Sequence, residues 1–68
     1  MQRQREPGLN AALAAYLRSL RNPAKLAYAR AVVSYGPESK QAEALRGTLS
    51  YMGAQAVRMR VADIHNPT

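Results

Sequence analysis

Basic side chains carry the clearest chemistry in this chain. Ten lysines and arginines stand against four carboxylates, and the formal net charge is +6 over 68 residues. Such an excess favours an anionic partner, with nucleic acid first and an acidic protein surface second. The densest basic cluster lies where the first two predicted helices meet, and two further arginines lie near the C-terminus. The predicted phosphate-binding residues are Arg18, Arg21, Lys25, Arg58 and Arg60.

The sequence offers little for catalysis or metal binding. His65 is the single histidine and there is no cysteine, so a thiolate zinc site and a serine–histidine pair are both disfavoured. The carboxylates are scattered, and the four glycines match no phosphate-binding loop. We therefore expect a non-enzymatic protein with no metal, cofactor or small-molecule substrate.

The chain also lacks the features of a membrane or secreted protein. No apolar run approaches the roughly 18 residues that a membrane span needs, and the polar N-terminus is unlike a signal peptide. The absence of cysteine is compatible with a reducing compartment. We expect a cytoplasmic location.

An all-α fold of three helices, the third one long, is predicted to position the basic residues. Leucines at helical spacing and four alanines predict the first helix over 9–20. Asn22-Pro23 combines a favoured N-cap with a favoured first helical residue, which predicts a second helix over 23–35. Gly36-Pro37 predicts the next joint, and the third helix is expected over 37–64. Residues 1–7 are interpreted as a flexible basic arm, 8–65 as one domain and 66–68 as a tail.

The apolar stripe of the predicted third helix changes face partway along. At about 100° per residue, one arc contains Ala42, Leu45, Leu49, Met52, Ala56 and Met59. In a continuous helix this arc would pack on the first two helices, with Met52 and Met59 in the core. Beyond Gly53 a second arc takes over, formed by Val57, Val61 and Ile64. Either one long helix with two partners or two short helices with a turn at Gly53 produces this pattern.

The second possibility resembles the helix-turn-helix class of DNA-binding proteins. Met52-Gly53 followed by the residues from Ala56 to Arg60 is similar to its turn and the start of its recognition helix. The resemblance implies that Gln55, Arg58 and Arg60 face bases or phosphates. The stretch departs from the class in two respects, because the interval from Gly53 to Val57 is short and no capping residue lies near position 54.

The first possibility, one continuous third helix, predicts a different function. Its second arc would extend beyond the first two helices and need another surface, most simply a second copy in a two-fold homodimer. With Tyr51, predicted to be exposed, this arc would form a protein interface that fails on Val61→Asp.

The leading hypothesis is a regulatory nucleic-acid-binding protein. The alternative is an adaptor or inhibitor that docks a protein partner, as small accessory proteins of phages and mobile elements do. The predicted interface residues are Tyr51, Val57, Val61 and Ile64.

Overall fold

Four helices make up the part of the chain that the structure describes. The computed structural model describes the backbone of residues 7–66 and the side chains of residues 11–66. The helices are α1 (Pro7–Ser19), α2 (Pro23–Tyr35), α3 (Lys40–Arg46) and α4 (Tyr51–His65), with no strand between residues 7 and 66. The all-α class is confirmed, but two helices stand where one long third helix was predicted. The predicted arm falls largely on residues 1–6, and the predicted tail on residues 67 and 68, outside the described residues.

The first joint follows the prediction closely. The Asn22 side-chain oxygen accepts hydrogen bonds from the backbone N–H groups of Ala24 and Lys25, at 2.9 and 3.1 Å. Helix α2 begins at Pro23 and ends at Tyr35, as predicted. Its end is marked by Gly36, whose φ of +100° is a conformation that glycine adopts without strain.

The second joint is longer than predicted because a serine caps the next helix. Ser39 Oγ accepts a hydrogen bond from the N–H of Ala42 at 3.1 Å and donates one to the Gly36 carbonyl at 2.7 Å. A serine in this position satisfies an amide that the first helical turn leaves without a partner. Pro37 and Glu38 therefore lie in the turn, and α3 begins only at Lys40.

The break between α3 and α4 lies before Gly53, at residues 47–50. Helix α3 ends at Arg46, and Ser50 caps α4 by accepting a hydrogen bond from the N–H of Gly53 at 3.1 Å. Gly53 is thus the third residue of α4, so the turn predicted there is wrong. The prediction of one continuous helix is wrong as well. The capping residue that seemed to be missing near position 54 stands four residues earlier.

This break explains why the apolar stripe changes face. Helix α4 is a separate helix, so its buried face has no fixed angular relation to that of α3. Val57 and Val61 are 0% and 4% exposed, and Ile64 packs against the same core. The predicted interface arc is therefore the core face of α4, whereas Met52 and Met59, predicted to lie in the core, are exposed.

Helix α2 is the central element of the fold. It packs most extensively against α3 and α4, and α1 packs on α4 and α2. Three of the alanines in the core are completely buried, which allows the helices to approach closely. The buried residues are Leu13, Tyr28, Ala29, Ala31, Val32, Ala42, Ala54, Val57 and Val61.

Two glycines that end helices should respond in opposite ways to alanine. Gly47 has φ −66° and ψ −13°, and a Cβ there would meet nothing within 4 Å. We expect Gly47→Ala to raise the free energy of unfolding by about 0.4–1 kcal/mol, because alanine restricts the unfolded chain. Gly36→Ala should lower it by more than this, because of the positive φ. Urea unfolding followed by circular dichroism measures both, and destabilisation by Gly47→Ala would contradict the geometry of the 47–50 turn.

Candidate nucleic-acid interface

Positive charge is unevenly distributed between the two halves of the fold. Residues 7–36, which include α1 and α2, contain four basic residues and no aspartate or glutamate. The carboxylates of residues 11–66 are Glu38, Glu43 and Asp63, which belong to the turn before α3, to α3 and to α4. The α1–α2 half therefore attracts anions without competition from carboxylates of its own. Its basic residues are Arg18, Arg21, Lys25 and Arg30.

The short connection between α1 and α2 brings three of these residues close together along the chain. Arg18 lies in the last turn of α1, Arg21 in the connection and Lys25 in the first turn of α2. Arg18 and Arg21 are exposed, and Lys25 is half-buried. None of the three pairs with a carboxylate among residues 11–66. We call Arg18, Arg21 and Lys25 the basic joint.

The first backbone amides of α2 are already occupied. Asn22 accepts from the N–H groups of Ala24 and Lys25, and Pro23 has no N–H. The N–H of Leu26 donates to the Asn22 carbonyl at 2.9 Å. A phosphate at this joint would therefore be held by side chains, which gives charge attraction without strict geometry.

Arg58 lies away from the basic joint, on the side of α4 that faces α2 and α3. Its Nη1 donates to the Tyr28 hydroxyl oxygen at 3.1 Å, and its Nη2 donates to the Gln55 side-chain oxygen at 2.7 Å. The hydrogen bond from Arg58 to Tyr28 raises the pKa of the guanidinium, which stays charged. Arg58 and Gln55 line an open groove of about 710 Å³ that also contains Glu38, Glu43 and Arg46.

Arg60 lies on the opposite side of α4, against α1. It lines a shallow groove of about 360 Å³ with Tyr16 and Ser19. Burial raises the pKa of the Tyr16 hydroxyl, and the nearby Arg60 charge partly offsets that rise. Arg60 therefore adds to the positive charge of the α1 side, whereas Arg58 does not.

The structure separates the predicted interface residues into an exposed position and core positions. Tyr51 is 68% exposed, which confirms its predicted exposure, but Val57, Val61 and Ile64 face the core. Sequence reasoning missed Met52 and Met59, which are 78% and 57% exposed on α4 beside Tyr51. Ser50 was the available signal, because a cap there begins a new helix whose buried face need not continue the arc of the preceding residues.

Within the described part of the chain, no cluster of three or more histidine, cysteine or carboxylate residues has the arrangement to hold a metal ion. His65 is exposed at the last position of α4. None of the described helices combines the length and hydropathy needed to cross a bilayer.

Comparison with protein-family models, curated proteins and solved structures gives no match to this chain.

Proposed function

We propose that this chain is a small, non-enzymatic protein that binds nucleic acid through contacts between the basic joint and backbone phosphates. The observation that carries the proposal is the charge of residues 7–36, where four basic side chains lie without a carboxylate. Exposed arginines of this kind neutralise phosphates and release counterions, which supplies affinity without sequence recognition. A regulatory role in the cytoplasm, exerted by occupying the nucleic acid, completes the proposal.

Phosphate contact is favoured over base recognition by α4. Helices α3 and α4 are joined by residues 47–50, a connection about as short as the turn of a helix-turn-helix unit. The side chains suited to bases are engaged, however, because Gln55 accepts a hydrogen bond from Arg58 and Arg58 also donates to Tyr28. The exposed residues at the start of α4 are Tyr51 and Met52, which offer no donor pattern for a base edge.

Salt dependence tests the proposal. Fluorescence anisotropy with a random-sequence duplex should show affinity falling steeply between 50 and 200 mM salt, as phosphate contacts require. We expect the double variant Arg18→Gln/Arg21→Gln to reduce the slope of log K against log salt by about 2. Its charge-matched control, Lys40→Gln/Arg46→Gln on α3, should leave the slope close to that of the unmodified chain.

Two results would contradict the proposal. One is the absence of binding at 50 mM salt to both duplex DNA and an RNA of equal length. The other is an equal loss of affinity in the two double variants, which would show that net charge acts without a defined surface.

A second candidate function is the docking of another protein, favoured by the exposed apolar residues of α4. Tyr51, Met52 and Met59 form this surface, in place of the predicted Val57 arc. Such docking should be insensitive to salt. It requires that this surface be free in solution.

A further inference from the structure

The shallow groove between α1 and α4 combines a tyrosine ring with a cation. Tyr16 and Arg60 line it, and the rest of its lining is small or apolar. None of the carboxylates of residues 11–66 belongs to that lining, not even Asp63, which lies one turn beyond Arg60 on α4. The other lining residues are Ala12, Ala15, Ser19 and Ile64. We call this the α1–α4 groove.

Two other grooves of the described chain lack this combination. The groove of Arg58 contains Tyr51, but the charges of its two arginines are offset by Glu38 and Glu43. The groove between α2 and the C-terminal end of α4 contains Arg58 and His65 but neither tyrosine nor phenylalanine. Of the three, the α1–α4 groove offers the most favourable surroundings to a ligand that is both anionic and ring-bearing.

We propose that the α1–α4 groove holds one unpaired nucleobase against the Tyr16 ring, while Arg60 contacts an adjoining phosphate. The ligand of the chain is then single-stranded nucleic acid, an inference that rests on the proposed function and narrows it. Aromatic rings bind bases of any sequence, because every base has a π face. Bases within a duplex are stacked on one another and present only their edges, so they do not enter such a groove.

Tyr16 is fixed in place without a ligand. Its side chain is half-buried, and it packs against the core of the domain. A ring that is already ordered loses little side-chain entropy when a base packs on it. Burial also raises the pKa of the Tyr16 hydroxyl, so the side chain is uncharged at neutral pH and does not repel a phosphate.

The groove lies next to the basic joint, which supplies further phosphate contacts. Arg60 is exposed, and it pairs with no carboxylate among residues 11–66. Ser19 lines the groove at the last position of α1. Arg21 follows two residues later, so the Cα atoms of Ser19 and Arg21 are at most about 7 Å apart. A strand with one base in the groove therefore brings its neighbouring phosphates to the basic joint.

An abasic strand separates base contact from phosphate contact. The ligands are a DNA strand of about 20 nucleotides, which exceeds a typical single-strand site, an abasic strand of the same length, and the first strand annealed to its complement. Fluorescence anisotropy should show the base-containing strand binding about 5- to 100-fold more tightly than the abasic strand, as one stacked base requires. Tyr16→Leu should remove this preference and leave the affinities for the abasic strand and the duplex within about twofold of their original values.

Two matched variants separate the ring from the charge. Tyr16→Phe keeps the ring and should retain the preference for the base-containing strand. Arg60→Gln should reduce the slope of log K against log salt by about 1, because it removes one phosphate contact. Lys40→Gln, on exposed α3, removes the same charge and should leave the slope unchanged.

An introduced indole gives a second measurement that does not weaken the site. The chain has no tryptophan, so a single one reports only its own surroundings. The base-containing strand should quench the fluorescence of Tyr16→Trp, and the abasic strand should not. Tyr35→Trp is the control, since position 35 is 62% exposed at the end of α2 and lies outside the groove.

Equal affinity for the base-containing and abasic strands would overturn the base site and leave the proposed function standing, since phosphates alone would then carry the binding. A preference that persists in a folded Tyr16→Leu variant, or equal quenching at positions 16 and 35, would also overturn it. Absence of binding to all three ligands would instead contradict the proposed function, and the base site with it.

Discussion

Replacing Val57 by aspartate is expected to unfold the domain. Val57 is completely buried in the core, between helices that bring no cation to its side chain. An unpaired buried carboxylate costs several kcal/mol. The whole stability of a domain of this size is on the order of 3–10 kcal/mol, so one such substitution removes most of it. The helical circular dichroism signal should be lost at 25 °C.

The matched control for this substitution is Ala11→Asp, which places the same side chain on an exposed position of α1. We expect it to change the free energy of unfolding by less than about 1 kcal/mol. Val61→Asp should behave like Val57→Asp and unfold the chain, since Val61 is also buried. A folded Val57→Asp variant with native helical content would show that this face of α4 is not part of the core.

Replacing Tyr28 should cause the second large loss of stability. The ring and the hydroxyl of this residue contribute to it separately. The side chain is completely buried on α2, and its hydroxyl oxygen accepts a hydrogen bond from Arg58 at 3.1 Å. Tyr28→Ala should lower the free energy of unfolding by about 3–5 kcal/mol, since it leaves a large cavity in a small core. Tyr28→Phe keeps the ring and should cost only about 1 kcal/mol.

A double-mutant cycle isolates the contribution of the hydroxyl. Urea unfolding of Tyr28→Phe, Arg58→Gln and the double variant measures whether the two effects are coupled. We expect Tyr28→Phe to have a smaller effect once Arg58 is replaced. Equal destabilisation by Tyr28→Phe and Tyr28→Ala, or strictly additive effects in the cycle, would contradict the separate role of the hydroxyl.

The joints of this fold were predictable where the determining chemistry is local. Asn22 and Pro23 specify the start of α2 through contacts between residues no more than four positions apart. Both ends of α2 agree with the prediction. The proline at position 37 was misleading, because Ser39 provides a hydroxyl that caps α3 two residues later. Proline is compatible with a helix start, but a capping serine satisfies an amide that would otherwise lack a partner.

The candidate site was less predictable, because side chains distant in sequence decide it. Arg58 belonged to the predicted phosphate-binding residues because of its charge and the helix-turn-helix resemblance, yet its hydrogen bond to Tyr28 joins residues 30 positions apart. Arg60, two residues away, lies against Tyr16 on the other side of α4. Arg18, Arg21 and Lys25 were identified without tertiary information, since a short connection keeps them close along the chain. Their role remains a prediction that the salt experiment tests.

By itself, the sequence determined an all-helical chain with an excess of positive charge in its first half. These two properties follow from composition, from the spacing of alanine and leucine and from the capping residues. Helix propensity and capping act between residues a few positions apart, so the sequence alone predicts them. Only the tertiary structure decided which face of α4 is buried. The phase of a helix relative to its neighbours depends on where the chain breaks, and the break at 47–50 turned Val57 and Val61 inward and left Met52 and Met59 outside.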